Sequence, residues 1–173
     1  MSQPLAWTHR VSEIPEPGLR VARAATEAER TALAKALEVV SCEGADAEYT
    51  IKAIGVGRYR LSGEVSVRLT QGCVVTLEPL STKLKEGFEV EFWPPESVPG
   101  APSAEVEVSA LRDIEPIEHG TIDAGRIVFE TLAAAIDPYP RKEGAALDWR
   151  DENDKSSEPG SASPFAKLKT LKE

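Results

Sequence analysis

The chain is short of the side chains that build metal centres, disulfide frameworks and imidazole catalysis. It has two cysteines and two histidines in 173 residues. Cys42 and Cys73 are too few for a disulfide framework and read as reduced thiols of a cytoplasmic protein. His9 and His119 stand far apart in sequence. Glu118-His119 offers one local donor pair without the third and fourth ligands that zinc takes. Aromatics make up only 6% of the residues, so a core must rest on Val, Leu, Ile and Ala. No apolar run approaches the roughly 20 residues that span a bilayer. Met1 to Arg10 shows no apolar region or small-residue cleavage pattern, so no secretory signal is expected. Gly-x-Ser-x-Gly is absent. Gly55-Val56-Gly57 precedes a strand pattern instead of the helix that a phosphate cradle needs. Positive charge is also scarce: 20 Lys and Arg against 29 Asp and Glu, a formal net charge of −9. Such a chain repels a phosphate backbone unless its basic residues are segregated. Bulk charge thus disfavours nucleic acid and favours a basic protein partner.

What is present is a change of period. Hydrophobic residues are 41% of the chain, enough for one α+β domain over residues 1–145, with a tail over 146–173. Ala6 to Val11 is a candidate strand, and Pro15, Pro17 and Gly18 read as loop. Thr26 and Glu29 have capping-box spacing at the start of a helix, with Leu33, Leu37 and Val40 on its apolar face. From Glu48 to Trp93 the period becomes two. Tyr49, Ile51 and Ala53 form one alternation. Tyr59, Leu61, Gly63, Val65, Val67 and Leu69 form a longer one against Arg58, Arg60, Ser62, Glu64, Ser66 and Arg68. Val75 and Leu77 read as a third strand, and Phe88, Val90 and Phe92 as a fourth. Strands this close, with no helix between them, predict an antiparallel meander covered on its apolar face by two helices. Residues 94–103 read as irregular loop, and Glu105, Glu107 and Ser109 as a possible edge strand. Asp123 precedes a second helix running to about Ile136, with Val128 or Phe129, Leu132 and Ile136 on its inner face. Pro138 and Pro140 end it. The polar residues after Glu143 read as a flexible tail. In it, Phe165, Leu168 and Leu171 stand at helical spacing between lysines, over residues 164–171.

No catalytic constellation stands out. Glu89/Glu91 and Glu105/Glu107 each share a strand face and read as exposed, solvated carboxylates that suit a basic partner. Arg58, Arg60 and Arg68 share the polar face of the longest alternation, beside Tyr59 and Trp93. That is the basis of an alternative reading as an RNA-contacting surface, joined by Arg141 and Lys142. Glu64 interrupts that stripe, and Glu89 and Glu91 can oppose it as ion-pair partners. A third, weaker reading is a metal-dependent hydrolase using Glu118, His119 and Asp123. Pro138 and Pro140 hold Tyr139 at low entropic cost. Its ring is expected to pack on the sheet with its hydroxyl outward, in a rigid exit from the helix.

Three segments carry a resemblance. Cys73-Val74-Val75-Thr76-Leu77-Glu78-Pro79, Asp137-Pro138-Tyr139-Pro140-Arg141-Lys142-Glu143-Gly144-Ala145 and Pro164-Phe165-Ala166-Lys167-Leu168 resemble, in this order, the YceD family, in a form similar to its alphaproteobacterial branch. Cys73, Leu77, Glu78, Pro79, Asp137, Pro138 and Pro140 are the motif positions. Many members carry Cys-x-x-Cys before Leu-Glu-Pro; here Cys73 matches the first cysteine and Thr76 stands at the second. Zinc is therefore not carried over, and no cofactor is expected. The resemblance implies a bacterial factor supporting large-subunit ribosomal RNA synthesis, processing or stability. Its gene commonly neighbours that of a small basic ribosomal protein. No catalytic residues transfer. Together with the charge, this implies a non-enzymatic assembly factor that contacts a basic large-subunit ribosomal protein or pre-ribosomal particle. Tyr139, Arg141, Lys142, Glu89, Glu91, Glu105, Glu107, Phe165 and Leu168 are the candidate contact residues.

Overall fold

A computed structural model describes residues 3–98 and 113–146. Glu105, Glu107, the edge strand expected there, the tail over 147–173, Phe165 and Leu168 lie outside the described residues. In chain order the elements are β1 (Thr8–Arg10), a 3-10 helix (Val11–Glu13), β2 (Leu19–Ala24), α1 (Glu27–Ala36), β3 (Ser41–Gly55), β4 (Arg58–Gly72), β5 (Pro79–Trp93), a second 3-10 helix (Pro95–Ser97), β6 (Ile114–Pro116), β7 (Thr121–Asp123) and α2 (Ala124–Ala135). A five-stranded sheet has the order β2-β3-β4-β5-β6, and β1 pairs with β7 in a second, two-stranded sheet. The fold is α+β. β2 through β5 form an antiparallel meander, and β6 joins in parallel beside Glu91, Phe92 and Trp93.

Period two explains the sheet. Ala45, Ala47, Tyr49 and Ile51 of β3 face the same way as Leu61, Val65, Val67 and Leu69 of β4, and all are buried. Val90 and Phe92 continue that face on β5, opposite Leu61 and Tyr59. α1 lies against β3, and α2 against β5 and β4. Each fully buried Val, Leu, Ile or Phe side chain contributes roughly 1.5–3 kcal/mol. The other face, with Glu48, Glu64, Lys85 and Glu89, is exposed, as in antiparallel sheets packed on one side. Gly63 is the gap in the apolar row. A Cβ there would collide with the Glu48 carbonyl oxygen and the Tyr49 Cβ, so β3 and β4 approach this closely only over glycine.

Both helices begin as their residues predict. The Thr26 hydroxyl accepts from Glu29 N, and the Glu29 carboxylate accepts from Thr26 N at 2.8 Å. The same carboxylate accepts from Trp7 Nε1 at 2.8 Å, which anchors the N-terminal segment to α1. Asp123 caps α2, accepting from Arg126 N at 2.9 Å.

Four expectations are corrected. Val75 and Leu77 are not a strand: residues 73–78 form a turn, and the expected fourth strand, Phe88 to Phe92, is the end of β5, which runs fifteen residues from Pro79 to Trp93. β3 starts at Ser41 rather than near Glu48, and it pairs with β2, a strand over Leu19–Ala24 that the residue pattern does not announce. Val40 is not on the α1 core face. α1 ends at Ala36, Glu38 turns the chain with φ 55°, and Val40 is 67% exposed. The first strand is shorter than Ala6 to Val11, because the chain turns into a 3-10 helix at Val11.

Candidate functional site

β4 and α2 finish at the same end of the sheet, and there the segments Cys73–Pro79 and Asp137–Ala145 meet. Inside the first, Cys73 N donates to Glu78 O at 2.8 Å and Leu77 N to Cys73 O at 2.9 Å. The turn forces Leu77 to φ 60°, a left-handed conformation uncommon for a γ-branched residue. The second segment leaves α2 through Pro138 and Pro140, which cannot continue the helix. The Asp137 carboxylate accepts from Tyr139 N at 2.9 Å, an Asx turn.

Three hydrogen bonds join the two segments, and Gln71 beside them adds a fourth. Val74 N donates to Pro140 O at 2.9 Å. Lys142 N donates to Cys73 Sγ at 3.3 Å, and Lys142 Nζ to Glu78 Oε2 at 2.8 Å. Gln71 Nε2 donates to Asp137 O at 3.0 Å. The other end of the same amide accepts from Thr82 Oγ1 at 3.1 Å, so the joint is tied to β4 and β5 together. Gln71 was missed by the sequence reading. Its signal was there: it continues the inward row Leu61, Val65, Val67, Leu69 as a polar residue in an apolar register, and it is buried.

The Cys73 sulfur is the centre of the joint. It is fully buried, sealed by the two loops whose N–H groups point at it; Thr76 N donates at 3.4 Å beside Lys142 N. Hydrogen bonds from the Thr76 side chain, Lys142 N and Thr76 N favour the thiolate, and burial opposes it. The balance lowers the pKa from 9.0 to about 6. The Thr76 hydroxyl has one proton and two acceptors, this sulfur and Glu78 Oε2 at 3.2 Å; the two N–H donors serve the sulfur in either case. Lys142, then Thr76, lowers the pKa of Glu78, and Glu78 raises that of Lys142, with a smaller contribution from Cys73. A zinc site does not fit this donor set. One cysteine sulfur is present, the Glu78 carboxylate is already paired with the Lys142 ammonium, and no group of three His, Cys, Asp or Glu gathers among the described residues.

Tyr139 departs from expectation. Its ring does not pack on the sheet but is 71% exposed. In the facing loop Leu77 is 83% exposed and Val74 44%, so the joined loops present apolar side chains outward. Arg141 and Lys142 flank them, and both are exposed.

The other candidates sit elsewhere. Glu91 is not on a solvated face. It is 4% exposed, with Arg60 Nη2 donating to Oε1 at 2.9 Å and Trp93 Nε1 to Oε2 at 3.0 Å. Glu89 is exposed and lies 3.7 Å from Arg60 Nε, too long for a hydrogen bond. Arg58 stacks on the Trp93 ring, 3.9 Å from its centroid. Arg68 lies across Gly44, eight positions and roughly 26 Å along the strand from Arg60. The three arginines thus share a face without forming a cluster, and two are already engaged by Glu91 and Trp93. Glu118 and His119 lie in an exposed turn, where His119 has φ 50°, while Asp123 is spent on capping α2. His9 is bonded to the Tyr49 hydroxyl at 2.8 Å. Burial, then Arg23, lowers its pKa. Burial also pushes the Tyr49 phenol up to about 12.

Long antiparallel strands, two helices on one face and a joint between two distant loops define an α+β domain organised around one closed end. A family model described as "Large ribosomal RNA subunit accumulation protein YceD" matches residues 61–172, more than half of the chain and including both joined loops. The chain belongs to the YceD family, which connects it with accumulation of large-subunit ribosomal RNA. Comparison with curated proteins finds no match, and neither does comparison with solved structures. No helix among the described residues is long and apolar enough to cross a membrane.

Proposed function

We propose that this chain is a non-enzymatic factor that supports large-subunit ribosomal RNA through contact with a basic ribosomal protein in the cytoplasm. The observation that carries the reading is the combination of family membership with a net charge of −9. A ribosomal protein rich in lysine and arginine binds phosphate indiscriminately before it reaches its site. An acidic domain holds it by complementary charge, raises the rate of encounter and releases it to the stronger field of the RNA. The closed end, with Tyr139, Arg141 and Lys142, is one candidate contact region, and the exposed Glu89 another. Direct RNA contact through Arg58, Arg60 and Arg68 is less favoured, since Glu91 and Trp93 already engage two of them.

The test has two arms. Loss of the chain should lower the ratio of large to small subunits on a sucrose gradient. Affinity purification at graded salt should retain a basic large-subunit protein after nuclease treatment and lose it as salt rises. A normal ratio with normal precursor processing across growth conditions removes the assembly role. A partner lost on nuclease treatment already at low salt replaces protein contact with RNA contact.

A further inference from the structure

We propose that the groove between the ends of the two helices and the joined loops is the docking site for a lysine- and arginine-rich protein segment carrying apolar anchors. The inference rests on the function proposed above and assigns it a surface.

Leu37, Val39, Val74, Ile136, Pro138 and Pro140 line the groove, with a volume of about 460 Å³. That is within the range of recognition clefts. The apolar side chains above it are not scattered. Among the described residues, six large hydrophobic side chains are exposed, and Val40, Val74, Leu77 and Tyr139 are four of them. Val40 belongs to this end because its N–H donates to Thr70 O at 2.9 Å, beside Gln71 and Gly72 of the groove wall. An exposed cluster, unlike single exposed residues, marks an interaction surface. Leu77 adds a second argument. It is held at φ 60°, where glycine is at ease and leucine is strained. Its side chain is nonetheless turned almost wholly to solvent. The turn therefore bears a conformational cost that no packing within the described residues offsets.

The electrostatics select the occupant. α1 and α2 both end at this groove, after Ala36 and Ala135. The C-terminal end of a helix carries the equivalent of about half a negative charge and favours cations. α1 carries Lys35 in its last turn, whereas α2 has no basic residue there, so the uncompensated helix end is that of α2. Two acidic residues, Glu38 and Asp137, are also among its lining. No lysine or arginine lines it; of the two cations flanking the loops, Lys142 is neutralised by Glu78 at 2.8 Å and Arg141 is exposed. Apolar walls with a negative rim fit aliphatic or aromatic anchors spaced by lysine or arginine. They reject an acidic segment and give a bare polycation nothing to bury.

The probe is a synthetic fourteen-residue amphipathic peptide of leucine and lysine, titrated into the isotope-labelled full chain and followed by backbone amide shifts. Two control peptides replace every leucine by serine, or every lysine by glutamate. The expected shifts fall on Val39, Gly72, Val74, Leu77 and Ile136 for the leucine–lysine peptide alone. The variant Leu77→Ser/Tyr139→Ser should weaken binding by about tenfold or more, as loss of central apolar anchors does. The variant Ile54→Ser/Val56→Ser, altered at the far hairpin, should bind as the parent does. Equal binding of the glutamate peptide, or unchanged affinity in Leu77→Ser/Tyr139→Ser, would overturn the proposal. So would shifts of the same amides on diluting the protein alone, which would make a second copy the occupant. The same holds for their displacement by Phe165→Ser/Leu168→Ser without peptide, which would make residues 164–171 of this chain the occupant. The peptide readout is independent of the subunit ratio. Peptide binding with a normal ratio keeps the groove and removes the assembly role; a disturbed ratio without peptide binding does the reverse.

Discussion

The two ends of the long sheet solve the same problem in opposite ways. β4 runs fifteen residues, so they lie roughly 45–50 Å apart. At the hairpin end, Arg58, Arg60, Glu91 and Trp93 come from two strands already paired in register. The Glu91 carboxylate accepts from Arg60 Nη2 and Trp93 Nε1, and the Arg58 guanidinium stacks on the Trp93 ring. At the closed end, the partners of Cys73, Val74 and Glu78 come from residues 64 to 69 positions away. Many of those bonds are donated by the main chain, and apolar side chains turn outward. The lesson is about what each end leaves over. Side-chain closure uses up the chemistry of the side chains. Main-chain closure frees Val74, Leu77 and Tyr139 to face something else.

The strongest break of this comparison is at the hairpin end. Arg60→Met removes the guanidinium from a buried carboxylate, Glu91. It should give the largest fall in melting temperature of the variants named here, on the order of ten degrees. Adding Glu91→Leu should recover most of the loss, because an apolar replacement of a whole buried pair is far milder than removal of one partner. Calorimetry on the single and double variants measures both.

Next is Gln71→Met, which keeps the side-chain shape but deletes the bonds to Asp137 O and Thr82 Oγ1. Two groups at the joint lose a partner, at a cost of about 1–3 kcal/mol. The denaturant midpoint should fall accordingly, and amide exchange at Val74 and Lys142 should accelerate more than at Arg60. Uniform acceleration would mean that the joint does not open separately from the sheet.

A smaller effect separates the ends by pH. Cys73 has its pKa lowered from 9.0 to about 6. An acid depressed in the folded state binds fewer protons there than when unfolded. Stability from this group therefore rises with pH between about 6 and 9, is full above that window and absent below it. Cys73→Ser should flatten the slope of melting temperature against pH in this window. Thiolate absorbance in the native protein should titrate near pH 6. Titration near 9 would show that the sulfur is not held by its N–H donors.

The smallest effects are at the outward side chains. Tyr139→Ala should change stability by less than about 0.5 kcal/mol, as exposed positions do. Leu77→Gly should leave it unchanged or raise it by up to about 1 kcal/mol, since glycine relieves the positive φ. Chemical denaturation reads both. A large loss in either would mean that the surface is structural.

The hairpin end was the more legible of the two in the sequence, and locality is the reason. Alternation from Tyr59 to Leu69 placed β4 correctly, and Thr26, Glu29 and Asp123 announced their helices through contacts three residues long. Arg60 opposite Glu89 and Glu91 was anticipated, although the burial of Glu91 was not. Periodicity assigns a face but does not see Arg60 and Trp93 fold over it. At the closed end, Val74, Val75, Thr76 and Leu77 have the composition of a strand. What makes them a turn is the Pro140 carbonyl and the Lys142 amide, whose positions no local pattern encodes. The resemblance marked both segments as one motif set, but nothing in their residues said that they touch.

The span between the joined segments also orders events in time. A ribosome adds about 5–20 residues per second. Roughly 3–13 s therefore separate the synthesis of Glu78 from that of Lys142, its partner 64 positions later. The hairpin of β3 and β4 has every residue it needs well before then, and hairpins form in microseconds. For those seconds the nascent sheet carries an unclosed end, with Cys73 lacking the Lys142 N–H that helps hold it as a thiolate. Closure of this end thus reports that translation has passed residue 142.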